Sequence, residues 1–207
     1  MLNVALTGNV AAGKSTVLNW FAEWGARIID ADALVREAQQ PGTDTMAAIA
    51  RRFGKQVLKE DGSLDRAALR GIVLADDKAL ASLNAIIHPA VRRQRADLAR
   101  EAADGGVHIL VNDIPLLFEV LDPRDFDLVV LVDAPTEVRR RRLMELRGLS
   151  EDDTDRLIAS QMPAELKRPR SDLIIENDGT EEQLRERALA AWEQIQQRAV
   201  DSQSAPG

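Results

Sequence analysis

The chain contains no cysteine, which excludes disulfides and any metal held by thiolates. Histidine is nearly as scarce, and two in 207 residues argue against a zinc site. An excess of basic charge is missing too. Lys and Arg number 27 against 34 Asp and Glu, a formal net charge of -7, whereas a general nucleic-acid binder presents a basic surface. Aromatic residues make up only 3% of the chain, and Trp20, Trp24 and Trp192 fall at helical positions that read as core anchors rather than base-stacking platforms. No apolar run approaches the roughly 20 residues of a membrane span, and the first apolar strand begins so close to Met1 that no secretory leader fits before it. Together these absences predict a soluble, cytoplasmic protein without membrane or nucleic-acid partners. What is present suffices for a core: 45% hydrophobic residues, in a length suited to one α/β domain with an inserted subdomain.

The most informative segment is Gly8-Asn9-Val10-Ala11-Ala12-Gly13-Lys14-Ser15, directly after the apolar run Val4-Ala5-Leu6. It fits G-x-x-x-x-G-K-S/T, the loop that holds nucleotide phosphates. The spacing has a physical reason: two glycines let the backbone wrap the phosphates with converging N–H groups, Lys14 reaches the β and γ phosphates, and Ser15 reaches Mg2+. Thr16 falls in the first turn of the following helix, where an anion is favoured by the helix N-terminus. Apolar positions continue from Val17 to Phe21, and Gly25 is placed to close that helix.

Further apolar runs recur at Ile28-Ile29, Val107 to Val111, Leu128 to Val132 and Leu173 to Ile175, separated by stretches long enough for helices. Most lack inside/outside alternation, as strands covered on both faces should, so the expected fold is a three-layer, doubly wound α/β sheet. The interval from Ile29 to Val107 exceeds one crossover helix and shows helical spacing at Met46, Ile49, Ala50 and Phe53, which predicts a helical insertion. Within it, Gly54 closes one helix, Asp61-Gly62 forms a turn, and Ser63 or Asp65 caps the next. A second helical, strongly charged interval runs from Glu137 to Arg170.

Several residues fall where chemistry is expected. Asp30 and Asp32 follow the second strand, at the sheet edge where the phosphate loop opens. Asp32 has two open readings, cap of the helix starting at Ala33 or general base for an acceptor hydroxyl. The strand ending at Asp113 has the form of an apolar run closed by a carboxylate, which can hold Mg2+ with Ser15, but Asp133 ends a rival run of the same form. Arg139 to Arg142 lie on the first turns of a helix and point all round its axis, so some are merely solvated while one can neutralise a transferring phosphoryl group. His88, next to Pro89 on an apolar helical face, reads by itself as a packed residue.

The ordered set of motifs resembles dephospho-CoA kinases over nearly the whole chain. The residues carrying the resemblance are Leu6 to Thr16, Ile29 to Asp32, Asp61-Gly62-Ser63-Leu64-Asp65-Arg66, His88-Pro89, Asp113-Ile114-Pro115-Leu116-Leu117-Phe118-Glu119, Gln161, and Asp172 to Ile175 followed by Asn177 and Gly179. The resemblance implies a P-loop NTPase-like core with a helical CoA-binding insertion and a helical lid, and ATP-dependent phosphorylation of the ribose 3'-hydroxyl of dephospho-CoA. It divides the chain into a nucleotide core (residues 1–32, 107–136 and 171–200), an acceptor domain (33–106), a lid (137–170) and a disordered tail (201–207), acting as a monomer or small homo-oligomer. It further implies that Gly8 and Ala11 to Thr16 line the ATP phosphates and that Lys14, Asp32 as base and Arg142 carry catalysis. Arg66, His88, Pro115 and Leu116 would meet the acceptor, and Asn177 would lie toward adenine. The loop departs from the family's usual G-G-I-G-S-G-K-S, since Asn9, Ala11 and Ala12 replace two glycines and a serine, and a positive φ is costlier at Ala11 than at glycine. The competing readings are another small-molecule or nucleoside monophosphate kinase, or a nucleotide-dependent switch. A guanine-specific N-K-x-D is missing at Asn177-Asp178-Gly179-Thr180.

Overall fold

The structure, a computed structural model, describes residues 1–204. Five strands, β1 (Leu2–Gly8), β2 (Arg27–Asp30), β3 (Ile109–Asp113), β4 (Leu128–Asp133) and β5 (Leu173–Glu176), form one sheet in the order β2-β3-β1-β4-β5. β1 lies between β3 and β4, parallel to both, and β4 pairs parallel with β5. Every residue of β4 is buried, as expected of an apolar run without alternation. Its even-numbered residues Leu128, Val130 and Val132 join Leu2, Val4, Leu6, Ile109 and Val111 in one cluster. Val129 and Leu131 point the other way and are equally buried, so both faces of the strand are covered.

That cluster is closed by α1 (Lys14–Glu23), through Val17, Trp20 and Phe21, and by α10 (Glu181–Ser204), through Leu184, Ala188, Trp192, Ile195 and Ala199. The three Trp are packing residues: Trp192 stands 5.3 Å from Phe21 and 6.3 Å from Trp24, and Trp20 stacks on Trp24 at 6.4 Å. Gly25, at φ 106, lets Ala26 N–H return to Phe21 O at 2.9 Å, which ends α1 as its position predicted.

The chain divides into two compact units, one formed by Met1–Ile29 with the chain from Ala102 onward, the other by Asp30–Glu101. The second overlaps the helical insertion expected at 33–106. It contains α2 (Ala31–Ala38), α3 (Asp44–Phe53), α4 (Arg66–Ala75) and most of α5 (Asp77–Asp104). Its core gathers Met46, Ile49 and Phe53 of α3, Leu69 and Val73 of α4, and Ala79, Leu83 and Ile87 of α5. Thr43 caps α3 and Gly54 closes it at φ 84. Asp65 caps α4, accepting from Ala67 N and Ala68 N at 3.0 Å each, while Ser63 bonds Asp61 in the preceding turn.

Between β3 and β4 lies the short α6 (Leu117–Val120). Between β4 and β5 lie α7 (Thr136–Arg147), α8 (Glu151–Ala159) and α9 (Ala164–Lys167). Two boundaries differ from expectation. β3 starts at Ile109, because Gly106 at φ 75 and the Val107 N–H to Ala102 O bond of 2.9 Å still belong to the end of α5. The tail expected from Asp201 continues as helix through Ser204, since Gln197 Nε2 donates to Asp201 Oδ1 at 2.9 Å and Ser202 Oγ to Ala199 O at 3.0 Å; residues 205–207 lie outside the described residues.

Candidate active site

In a parallel sheet the loops after the strands gather at the carboxyl edge, so the loops following Gly8, Asp113, Asp133 and Glu176 are neighbours. Gly8 ends β1 hard against β4, and a Cβ there would stand 2.6 Å from Val132 O. The loop then turns through Ala11 at φ 59 and Gly13 at φ 95, with Ala12 N–H donating to Asn9 O at 3.1 Å, and α1 begins at Lys14. Ala11 is thus the loop's left-handed L-residue, a conformation costing about 1–2 kcal/mol. Among the described residues, the N–H groups of Ala11, Gly13, Lys14 and Ser15 have no acceptor in the protein. Four donors at a helix N-terminus without protein acceptors fit a polyphosphate.

The loop is shaped from outside. Asn177, buried after β5, donates its Nδ2 to Ala12 O at 2.8 Å and accepts from Arg142 Nη2 at 3.0 Å. A Cβ on Gly13 would collide with Asn177 Nδ2, so glycine there permits the contact. Both polar ends of the Asn177 side chain are therefore turned to the loop and to Arg142.

Lys14 Nζ forms an ion pair with Asp113 Oδ1, both side chains largely buried. The two carboxylate-ended strands are thereby distinguished. Asp113 meets the loop's lysine, whereas Asp133 Oδ2 is held by Arg168 Nη1 at 2.7 Å, and the same guanidinium binds Glu176 at 2.7 Å. Ser15 lies exposed in the first turn of α1.

The four arginines of α7 also separate. Arg139 is buried, donating to Ala134 O and Thr136 Oγ1 at 3.1 Å each, and Arg140 is clamped by Asp155 and Glu151 at 2.6 Å each. Arg141 is exposed. Arg142 is the one bonded to the phosphate loop, its Nη1 donating to Ala11 O at 3.2 Å. Desolvation, and then the charge of Arg141, push the Arg142 guanidinium below its usual value, while it remains a cation. Its partners are an amide and a carbonyl rather than a carboxylate, so its charge is available to an anion.

The remaining expected residues have the following places. Asp30 caps α2, accepting from Ala33 N at 2.8 Å and from Arg36 at 3.1 Å, which assigns the capping role to Asp30 and leaves Asp32 exposed in the first turn. Arg66 is the exposed first residue of α4. His88 is half-buried within α5; desolvation, followed by the Arg92 charge, lowers its pKa. In the first unit, Pro115 O accepts from Thr7 Oγ1 at 3.2 Å, and Leu116 is an exposed apolar side chain just past Asp113.

Some residues at the site had no role readable from sequence. Gln161 Oε1 accepts from Val10 N–H at 2.8 Å, and Asn9 Nδ2 donates to Met162 O at 3.2 Å. Glu119 Oε1 accepts from Met162 N–H at 3.1 Å and lies 2.9 Å from the fully buried Lys167 Nζ. The only signal for Gln161 was its presence in the motif set, and for Asn9 its departure from glycine.

A model of the dephospho-CoA kinase family matches residues 2–183. The chain is 43% identical to a dephospho-CoA kinase of Thermobifida fusca, over 96% of this chain and 98% of that protein. Among solved structures, a Thermus thermophilus protein superposes with a TM-score of 0.78 at 35% identity, covering 98% of this chain and 97% of that one. A dephospho-CoA kinase from Campylobacter jejuni superposes with a TM-score of 0.70 at 25% identity, covering 93% of this chain and 96% of that one.

Proposed function

The chain belongs to the dephospho-CoA kinase family, and from that premise we propose how its residues move the terminal phosphoryl group of ATP to the ribose 3'-hydroxyl of dephospho-CoA. The observation that carries the reading is that, among the described residues, the N–H groups of Ala11 and Gly13 to Ser15 have no acceptor in the protein, on a loop that also carries the Lys14 ammonium and is bonded by the partly desolvated Arg142 guanidinium. Such a set holds a polyphosphate and neutralises the charge that spreads over the transferring phosphoryl group. In a loose transition state, positioning and charge neutralisation supply most of the catalysis.

Within the loop Gly8 to Thr16, the open N–H groups of Ala11 and of Gly13 to Ser15 grip the β and γ phosphates. Lys14 exchanges the Asp113 carboxylate for phosphate oxygens, which frees Asp113. Arg142 moves from the Ala11 carbonyl to the γ-phosphoryl oxygens. The acceptor's 3'-oxygen forms a bond to the γ phosphorus as the bond from that phosphorus to the β,γ-bridging oxygen breaks; ADP leaves with the electron pair. Asp32, exposed in the first turn of α2, takes the hydroxyl proton. Arg66, His88, Pro115 and Leu116 hold the acceptor, with Leu116 offering apolar surface and Arg66 a cation for a phosphate. Ser15 and the freed Asp113 supply a hydroxyl and a carboxylate, a donor set that suits Mg2+, which would draw charge from the β and γ oxygens. In this reading residues 137–170 serve as a lid that carries Arg142, residues 33–106 are the acceptor domain, and the enzyme works in the cytoplasm. No described helix is long and apolar enough to cross a membrane.

The test is an acceptor panel. Purified protein with MgATP should add one phosphoryl group to dephospho-CoA far faster than to AMP, shikimate or pantothenate, as read by mass spectrometry. Intact ATP binding with no phosphorylated dephospho-CoA would refute the reading.

A further inference from the structure

The first half of the phosphate loop is fastened to a corner far along the chain. Val10 N–H reaches Gln161 Oε1 at 2.8 Å across 151 positions, and Asn9 Nδ2 reaches Met162 O at 3.2 Å across 153. Two successive loop residues thus bond two successive corner residues. The corner is itself anchored from behind. Gln161 N–H bonds Ile158 O at the end of α8 at 3.3 Å, and Met162 N–H bonds Glu119, whose carboxylate is neutralised by the fully buried Lys167. Arg170 lies 4.7 Å over the Phe118 ring, holding α6 against the same segment.

This fastening sits directly before the strained residue of the loop. Ala11, at φ 59, adopts a backbone conformation that an L-residue keeps only when its surroundings over-determine it. Here the surroundings do so on both sides, Gln161 fixing the peptide before Val10 and Arg142 holding the Ala11 carbonyl, and once Arg142 turns to the γ-phosphoryl oxygens the Gln161 bond remains. Relaxing Ala11 to negative φ would turn its own N–H, and the peptide leading to Ala12, out of the set that converges with Gly13 to Ser15. A glycine at position 11 would adopt the same φ without the strain.

We propose that Gln161 is a positioning residue for ATP: its side-chain carbonyl, by holding Val10 N–H, keeps Ala11 in the left-handed conformation that aims the loop's open N–H groups at the phosphates. Gln161 touches neither substrate in this role; it acts through the loop. The proposal rests on the reading of residues 8–16 as the phosphate cradle.

Gln161→Met keeps the length and bulk of the side chain but removes the acceptor. It should raise the KM for ATP roughly tenfold, the strain of one left-handed residue expressed as affinity, with the KM for dephospho-CoA within twofold of the unaltered protein. Adding Ala11→Gly should bring the double variant to within about threefold of the Ala11→Gly protein alone, because glycine holds the conformation unaided. A merely structural role for Gln161 would not be rescued in this way. An unchanged KM for ATP in Gln161→Met, or a double variant as weak as Gln161→Met, overturns the proposal. Lys14→Met separates the two levels of the reading. If it leaves ATP binding intact, the cradle reading fails and the proposal with it; if it abolishes binding while Gln161→Met does not weaken it, only the positioning role fails. Should Gln161→Met not fold, amide hydrogen exchange on the unaltered protein decides, with Val10 expected to exchange at least tenfold more slowly than Ala11; equal rates overturn the proposal.

Discussion

Truncating Asn177 to alanine removes the pin between β5 and the phosphate loop. The wild-type side chain donates to Ala12 O at 2.8 Å and accepts from Arg142 at 3.0 Å, and Ala12 is 1% exposed, so water cannot readily replace the lost donor. A stranded buried carbonyl costs about 1–3 kcal/mol, and the lost charge-assisted bond to Arg142 adds about 1 kcal/mol, discounted because the guanidinium reaches solvent. The sum, about 2–4 kcal/mol, corresponds to a fall in Tm of about 4–16 °C for a chain of this size. Scanning calorimetry on the nucleotide-free protein measures it. The same variant should weaken ATP and GTP by similar factors, because the loop that both triphosphates share has lost its support. Asn177→Asp should also destabilise, since it keeps an acceptor for Arg142 but sets a carboxylate oxygen against the Ala12 carbonyl, and its charge should further weaken both nucleotides. A Tm unchanged in Asn177→Ala, with discrimination between ATP and GTP lost, would mean that Asn177 reads the base and that the bonds to the loop contribute little.

Asp32→Asn should lower kcat by about 10^2- to 10^4-fold while leaving the Kd for ATP within twofold, the signature of a lost general base; an unimpaired kcat in a steady-state assay would remove Asp32 from the chemistry. His88 gives a pH signature. Its pKa is lowered by burial and by Arg92, so between the folded and unfolded pKa values the unfolded chain binds more protons, and stability rises with pH. That contribution is fully present above about pH 6.5, the unfolded value, and is lost as pH falls toward the folded one. His88→Gln should flatten the acid side of the Tm profile, and a profile identical to the parent's would show that the imidazole is not desolvated.

Much of the fold was legible locally. Apolar runs, most of them without alternation, marked the five strands, and the glycine and lysine spacing marked the loop, because both signals are carried by residues adjacent in the chain. The errors came where composition competed with packing. Asp201 to Ser204 look like a small polar tail, yet they extend α10, whose buried stripe through Ile195 and Ala199 sets the helix on the core before the polar residues begin. Asp32 was open by spacing as the cap of a helix starting at Ala33, but α2 starts two residues earlier, where β2 ends, and Asp30 caps it.

The sequence by itself determined that this protein binds nucleotide phosphates on a strand–loop–helix unit, and it supplied the acidic and basic candidates for the site. Which candidate belongs to the loop was decided by tertiary structure alone. Asp113 rather than Asp133 meets Lys14, because Asp133 is taken by Arg168. Arg142 rather than its three neighbours reaches Ala11, because Arg139 is buried on bonds to Ala134 and Thr136, Arg140 is clamped to α8 and Arg141 faces solvent. Gln161 becomes part of the site through a bond that spans 151 positions. Helical and strand periodicity act over a few residues, whereas these pairings depend on the order of strands in the sheet and on where three short helices return to it. A 3.6-residue repeat sends four consecutive arginines in four directions, and only the neighbour already occupying each direction determines what each guanidinium does.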